Sequence, residues 1–483
     1  MKRCFLLTLL CTCGLAQVIF ANNVAITNLR TGGQEIITGD ISILFDLSWE
    51  NSWNVTDGPA NFDAVWVFGK YRVNGSPWRH MPSADLVDNS SILNTENYTE
   101  GAIVYRENPG TGNNDFTDIS FVFNYRAEGI DDNADLEVQL FAVEMVLVPT
   151  GAFSLGNGPQ GGQGAFIRNP ASGSSPPYLT YPITAEVAIN VGPQPFSFNY
   201  LSGGDQLGPI PADFPKGHAG FYCMKYEVSQ QQWVDFFNTL TPVQQNALDA
   251  TGASGKNSDG VVGRNGVSWT SGNPATTSLP NLPMNYILND WFYAYLDWAG
   301  LRPMTELEFE KACRGPLGVQ PNEYVWGTNR IADRTYQLLF PGGVGERVNN
   351  AAANEGNAAY GANSVDILRC GIFAASAPSA DREETGGTYY GIMDMGGNLY
   401  ERTIGVGSPE FRAYTGVHGD GTITPSGAAN VTSWPSASAG FSFRGGSAGF
   451  PGNNLRTGDR TFGNFTGAIN LRYNGIRGVL TRN

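Results

Sequence analysis

The sequence holds few of the residues that most often carry chemistry. Among 483 residues there are six cysteines and three histidines, His80, His218 and His418. Cys4, Cys11 and Cys13 sit close to the N-terminus, which leaves Cys223, Cys313 and Cys370, widely separated and without a CxxC pair. That spacing gives no zinc site. If the chain is exported, an odd cysteine means at least one free thiol or a bridge to another molecule. Charge is also scarce: Asp, Glu, Lys and Arg make up 15% of the chain, and the net charge is −15. An acidic surface repels phosphate backbones, so nucleic acid is not an expected partner, whereas divalent cations are compatible with it. No Gly-x-Ser-x-Gly elbow and no phosphate loop occurs. Beyond the N-terminal segment no apolar run is long enough to span a bilayer, so no membrane span is expected.

Glycine is plentiful, with 61 residues, and aromatics reach 12%. This suits a packed but loop-rich protein better than a helical bundle. The length predicts two domains, or three. Residues 1–21 read as a signal peptide: Lys2 and Arg3 precede an apolar run from Phe5 to Leu10, and small residues follow at Gly14, Ala16 and Ala21. Cleavage after Ala16 or Ala21 predicts an exported bacterial protein, secreted or at the cell surface, with the periplasm as a further compartment.

Residues 22–142 read as all-β. Ile41, Ile43, Phe45, Leu47 and Trp49 alternate with other residues, as do Ile119, Phe121, Phe123 and Tyr125. Ala64 to Val73 is a further strand that runs into Asn74-Gly75, a tight-hairpin pair. Short strands with turn signals predict a sandwich-like domain. Its Trp and Phe residues are read as core, with sugar binding as the alternative.

Residues 143–483 differ in character. A Gly/Pro/Ser-rich excursion spans Gly156 to Pro177, and three helices follow. Ser229 and Gln232 have capping-box spacing ahead of Trp233, Phe236, Phe237 and Leu240. Asn289 or Asp290 is read as the cap of a helix that carries Trp291, Tyr295 and Trp298 and ends at Gly300. Thr305 and Glu308 form another capping box. The helix aromatics are read as core. The run Asp381-Arg-Glu-Glu384 is read as a solvated loop face, and Asp459 as a partner for Arg460.

Six stretches taken in order carry a resemblance. They are Met145-Val-Leu-Val-Pro-Thr-Gly-Ala-Phe, Lys225-Tyr-Glu-Val-Ser, the run from Asp297 to Ala312, Gly391-Ile-Met-Asp-Met-Gly-Gly-Asn-Leu-Tyr-Glu, Phe443-Arg-Gly-Gly-Ser and Arg472-Tyr-Asn-Gly-Ile-Arg-Gly-Val. Together they resemble the formylglycine-generating-enzyme (sulfatase-modifying factor) family. The resemblance implies an α+β, C-type-lectin-like fold with little regular secondary structure, here preceded by the all-β domain. It implies one calcium site at Asp394, Gly397, Leu399 and Glu401, where carboxylates and carbonyls of a Gly-rich turn supply hard oxygens. Asn354 and Asp366 are weaker counterparts of a second site.

The family's oxidative chemistry uses two cysteines and copper. Counting from Gly445-Gly446-Ser447, those positions hold Phe450 and Leu455, which offer copper no sulfur. Copper is therefore not expected, and neither is catalysis. The expected function is an exported non-catalytic binding protein for an extracellular protein or glycan. Its ligand-face candidates are Ser447, Phe450, Asn453, Asn454, Leu455 and Phe462. That face also resembles the variable face of retroelement-diversified proteins on this scaffold. The alternatives are a formylglycine-type oxidase acting on sulfatase cysteines and a structural component of a surface assembly that self-associates.

Overall fold

The computed structural model describes residues 24–83, 85–87, 93–173, 175–361, 363, 366–466 and 471–483. The expected signal peptide lies outside the described residues. The chain is mostly sheet with few helices. The first strands in chain order are β1 (Ala25–Glu35), β2 (Asp40–Asn54), β3 (Asp63–Val73), β4 (Arg79–Met81), β5 (Asp85–Val87), β6 (Leu93–Tyr98), β7 (Gly101–Arg106), β8 (Gly110–Asn124) and β9 (Leu136–Val148).

Two sheets form from these strands. One has the order β1-β2-β8-β5. In the other, strands Val479–Thr481 and Phe221–Met224 lead to β9, β3, β7 and β6, with β4 paired to β3. The alternation read along β2 and β8 is realised: Ile41, Ile43, Phe45, Leu47, Ile119, Phe121 and Phe123 are all buried. They share one apolar cluster with Val65, Val67 and Tyr71 of β3. Asn74 and Gly75 both take positive φ, 51° and 71°, and close the hairpin between β3 and β4.

β3 is buried on both faces. Opposite Val65 and Val67, residues Ala64, Trp66 and Phe68 enter a second cluster with Leu296 and Trp298. Trp66 Nε1 donates to Ala299 O at 2.8 Å, and Lys70 Nζ donates to Trp298 O at 2.7 Å. β9 runs unbroken through residues 142 and 143, pairing with β3 on one side and with Phe221–Met224 on the other. The N-terminal strands and the C-terminal part therefore share a sheet.

The longest helices among the described residues are α1 (Gln230–Asn238), α2 (Pro242–Ala247), α3 (Asn289–Trp298) and α4 (Glu306–Arg314). The capping boxes at Ser229/Gln232 and Thr305/Glu308 form as read. The cap of α3 does not. Leu288 takes the N-cap position without a side-chain bond, and Asn289 is already helical. Its amide instead donates to Ala437 O and accepts from Arg402 Nε, so tertiary partners claim the side chain. The Gly156–Pro177 excursion contains a strand, Phe166–Arg168, paired with Phe198–Tyr200.

Every residue of α4 is buried, including three glutamates. Arg460 binds Glu306 with two bonds, at 2.7 and 2.9 Å. Arg302 does the same to Glu308 at 2.7 and 3.0 Å, and Arg444 reaches Glu310 at 3.0 Å. Arg460 thus pairs with Glu306 and not with the adjacent Asp459. That carboxylate turns toward Thr461 and Asn454. The run Asp381–Glu384 is a solvated face only at Asp381, which is exposed. Glu383 and Glu384 are buried; Glu383 pairs with Arg330, Glu384 caps the Asn354 amide, and Arg382 donates to Cys313 O and Val325 O. A loop without regular backbone pairing needs such side-chain ties to satisfy its carbonyls and amides.

Burial pushes Glu306 up, but Arg460 and then Arg444 outweigh it and hold the carboxyl below its usual range. A group depressed in this way stabilises the fold above its unfolded pKa and loses that contribution as pH falls. Glu306→Gln leaves buried guanidinium charge unmatched and should lower unfolding free energy by about 3–5 kcal/mol in urea melts at pH 7. Asp297 shows the opposite sign. Burial pushes it up to about 7 while it accepts from the Asn430 and Asp420 amides. Its contribution is present below the unfolded carboxylate pKa and is lost as pH rises through about 7. The melting temperature should therefore fall between pH 5 and pH 8, to a smaller extent in Asp297→Asn; an equal slope in the two proteins would refute this.

Candidate functional site

Three of the motif stretches meet at one place. Strand Glu401–Ile404 pairs with Phe441–Arg444, which pairs in turn with Phe462–Phe465. The Gly397 amide donates to Gly445 O at 2.8 Å, and the Ala448 amide to Asn398 O at 2.9 Å, so the two Gly-rich turns lock together. The Tyr400 amide donates to Tyr473 O at 2.8 Å, which brings in the C-terminal stretch. Gly397 has φ +89°, and a Cβ there would lie 2.5 Å from Ala359 O. Only glycine fits that approach.

The six ligand-face candidates divide by depth. Asn453 is exposed, and Phe450 and Phe462 are half-buried. Ser447, Asn454 and Leu455 are buried and lie beneath the surface, contrary to their reading as ligand-face residues. The physical reason is the double-glycine turn, which folds Ser447 inward, and the apolar cluster of Phe309, Trp326 and Met395 that takes up Leu455. The outer layer is a set of edge-to-face rings. Tyr400 contacts Phe450 at 5.0 Å and Phe462 at 5.7 Å; Phe450 contacts Phe462 at 5.8 Å and Tyr473 at 6.3 Å. Below it, Ser447 Oγ, Tyr400 Oη and Asn474 Oδ1 are buried without a hydrogen bond from the described residues.

Residues 134–477 match the family of the sulfatase-modifying factor enzyme 1-like domain. The chain belongs to this family. Its structure is similar to that of Treponema denticola variable protein 1, with 14% identity and a TM-score of 0.28, covering 63% of this chain and 96% of that one. No curated protein matches the sequence.

Phe450 and Leu455 are the residues that the count from Gly445-Gly446-Ser447 sets at the positions expected to hold copper-binding sulfur. A phenyl ring packed on Tyr400 and an aliphatic side chain in the core do not fit a copper ion. The three described cysteines, Cys223, Cys313 and Cys370, are free and buried. Burial pushes the Cys223 thiol up to about 12 and moves Cys313 and Cys370 up as well, away from the reactive thiolate.

The proposed calcium turn is different. Asp394 and Glu401 are buried, and burial raises both carboxyls. Asp394 Oδ2 accepts from the Gly371 amide at 2.6 Å, and Glu401 Oε1 accepts from Arg477 Nε at 2.7 Å. Their other oxygens take no hydrogen bond from the described residues. The motif comparison did not single out Glu227, although it lies in the quoted Lys225–Ser229 stretch. Glu227 is buried beside them, raised by burial and then by Asp394 and Glu401, and accepts from Asn398 Nδ2 and the Leu399 amide. Three acids thus surround one arginine, a charge balance that a divalent cation would complete. Among the described residues no three His, Cys, Asp or Glu side chains converge on a metal position. An ion here would therefore depend on the carbonyls of Gly397 and Leu399. Of the weaker pair, Asp366 is bound by Arg472, and Asn354 donates its amide to Glu384.

Depth predicts mutational cost. Leu455→Ala should destabilise by about 2–5 kcal/mol, as for other fully buried leucines. Asn453→Ala should stay within about 0.5 kcal/mol. Thermal unfolding of the two variants measures the difference, and equal costs would contradict the layering.

Proposed function

We propose that this protein is an exported, non-catalytic binding protein of the sulfatase-modifying factor family. Its contact surface comprises Phe450, Asn453, Phe462 and Tyr473, and its ligand is an extracellular protein or glycan. The observation that supports this most is the aromatic layer itself. Where the family's chemistry would need sulfur, the chain has half-exposed rings held rigid by edge-to-face packing. Rigid aromatics beside an exposed amide supply contact area with little ordering entropy to lose, as at interface hot spots. In this reading the N-terminal strands form a β-sandwich that supports the family domain, and export follows from the N-terminal leader.

Calcium belongs to the same reading as a brace. Asp394 and Glu401, with the carbonyls of Gly397 and Leu399, would hold it, and the ion would fix the turn that carries Tyr400 under the rings. It supplies positive charge to the buried acids and no redox chemistry.

The test is binding of the purified full chain to a glycan array and to immobilised cell-surface extracts. The double variant Phe450→Ala, Phe462→Ala should lose at least tenfold in affinity while keeping its melting temperature within a few degrees. Unchanged binding by the double variant would sink the proposal. So would tight Cu(I) binding accompanied by oxygen consumption with a cysteine peptide. For calcium, adding the ion at ~100 times its dissociation constant should stabilise the chain by about 2.7 kcal/mol. Asp394→Asn should abolish that gain, and a melting temperature indifferent to chelation would remove calcium from the account.

A further inference from the structure

Three ionisable side chains meet inside the protein where the N-terminal strands join the family domain. Asp63 begins β3, Glu144 lies in β9, and Lys225 follows the strand Phe221–Met224, so three neighbouring strands contribute one residue each. The register brings them together. Glu144 pairs across the sheet with Val65, two residues from Asp63, and the Lys225 amide donates to Glu144 O at 2.9 Å. Lys225 Nζ lies 3.2 Å from Asp63 Oδ2 and 3.3 Å from Glu144 Oε2. The side chains of Lys225, Asp63 and Glu144 are 3%, 0% and 3% exposed. The Trp53 and Tyr226 rings cover the amine at 4.6 and 5.8 Å. Asp63 is also held firmly. Its Oδ1 accepts from Ser52 Oγ at 2.7 Å and the Trp53 amide at 3.0 Å, and its Oδ2 from Trp49 Nε1 at 3.2 Å.

As an ion cluster this arrangement is costly, because three charged groups lose their hydration. An amine and a carboxyl fixed in contact in a dry site are also arranged for condensation. Proximity replaces a bimolecular encounter, and removing opposite charges suits a low-dielectric interior.

We propose that Lys225 and Asp63 condense to an intramolecular isopeptide bond, with Glu144 carrying the proton between them. The ammonium proton passes to Asp63, giving a neutral amine and a neutral acid. The Nζ lone pair adds to Asp63 Cγ. The negative charge that develops falls on Oδ1, where the Ser52 hydroxyl and the Trp53 amide already donate, an oxyanion-hole arrangement. Glu144 takes a proton from Nζ and delivers it to Oδ2. The Cγ–Oδ2 bond breaks and one water leaves. One N–C bond replaces one C–O bond, Glu144 returns to its starting state, and nothing is oxidised or reduced. The amide ties β3 to the strand Phe221–Met224 across β9, so the N-terminal strands cannot peel from the family domain even when the sheet is pulled.

The experiment is mass spectrometry of the folded full chain, with its N-terminus fixed by peptide mapping. The expected result is an intact mass one water below that of the sequence and a branched proteolytic peptide joining Lys225 to Asp63. Lys225→Arg should carry the full mass of its sequence, and so should Glu144→Gln. Folded wild-type protein at full mass, yielding linear peptides with an unmodified Lys225, would overturn the proposal; that measurement does not depend on any variant folding. A branched peptide joining other residues would overturn the assignment. Full cross-linking in Glu144→Gln would overturn the role given to Glu144.

Discussion

The fold depends on keeping one short charged helix dry. α4 places Glu306, Glu308 and Glu310 in the interior, where they meet Arg314 of the same helix, Arg302 just before it, and Arg444 and Arg460 from the C-terminal part of the chain. Buried carboxylates are tolerated only when paired and fully hydrogen-bonded. Glu306 shows how completely that is done, since it also accepts from the Ser442 hydroxyl and the Val406 amide. These bonds fix strand Phe441–Arg444 and the segment after Glu401–Ile404. The aromatic layer, built on the same strands, takes its position from α4. In a protein with short strands and long loops, such ties do the organising that long backbone ladders do elsewhere.

A second constraint is the shared sheet. β3 buries both its faces, one against the N-terminal strands and one against α3. A strand with two apolar faces cannot be released to solvent from either side without exposing a core. The family match begins at residue 134, close to the start of β9 at Leu136, the strand through which the two parts are joined. The Asp63–Glu144–Lys225 cluster lies at that junction, so its chemistry bears on whether the parts can separate.

Much of the local structure was legible because its causes are local. The capping boxes at Ser229 and Thr305 are three-residue interactions, and the alternation along β2 and β8 is a period-two pattern. The Asn74-Gly75 turn is likewise set by the φ that its two residues accept. What failed to be legible had distant causes. Asn289 gave up its cap for Ala437 and Arg402; Glu383 and Glu384 turned inward to tie loops; Arg460 passed over its neighbour for a glutamate 154 residues away. At the candidate site, the motif stretches that carry the family were readable, whereas the burial of Ser447, Asn454 and Leu455 was not.

The sequence by itself determined the family and the chemical inventory. It placed Phe450 and Leu455 shortly after Gly445-Gly446-Ser447 with no cysteine beyond Cys370, and it supplied Asp394 and Glu401 on either side of a glycine turn. These are facts of residue type and order, and folding does not alter them. Only the tertiary structure decided depth and company. It put Leu455 in the core and Phe450 in a half-exposed layer, added Glu227 and Arg477 to the acidic turn, and closed Lys225 in with two carboxylates. The reason is physical: burial and pairing are set by which surfaces meet in space, and in a loop-rich chain those surfaces come from residues hundreds of positions apart.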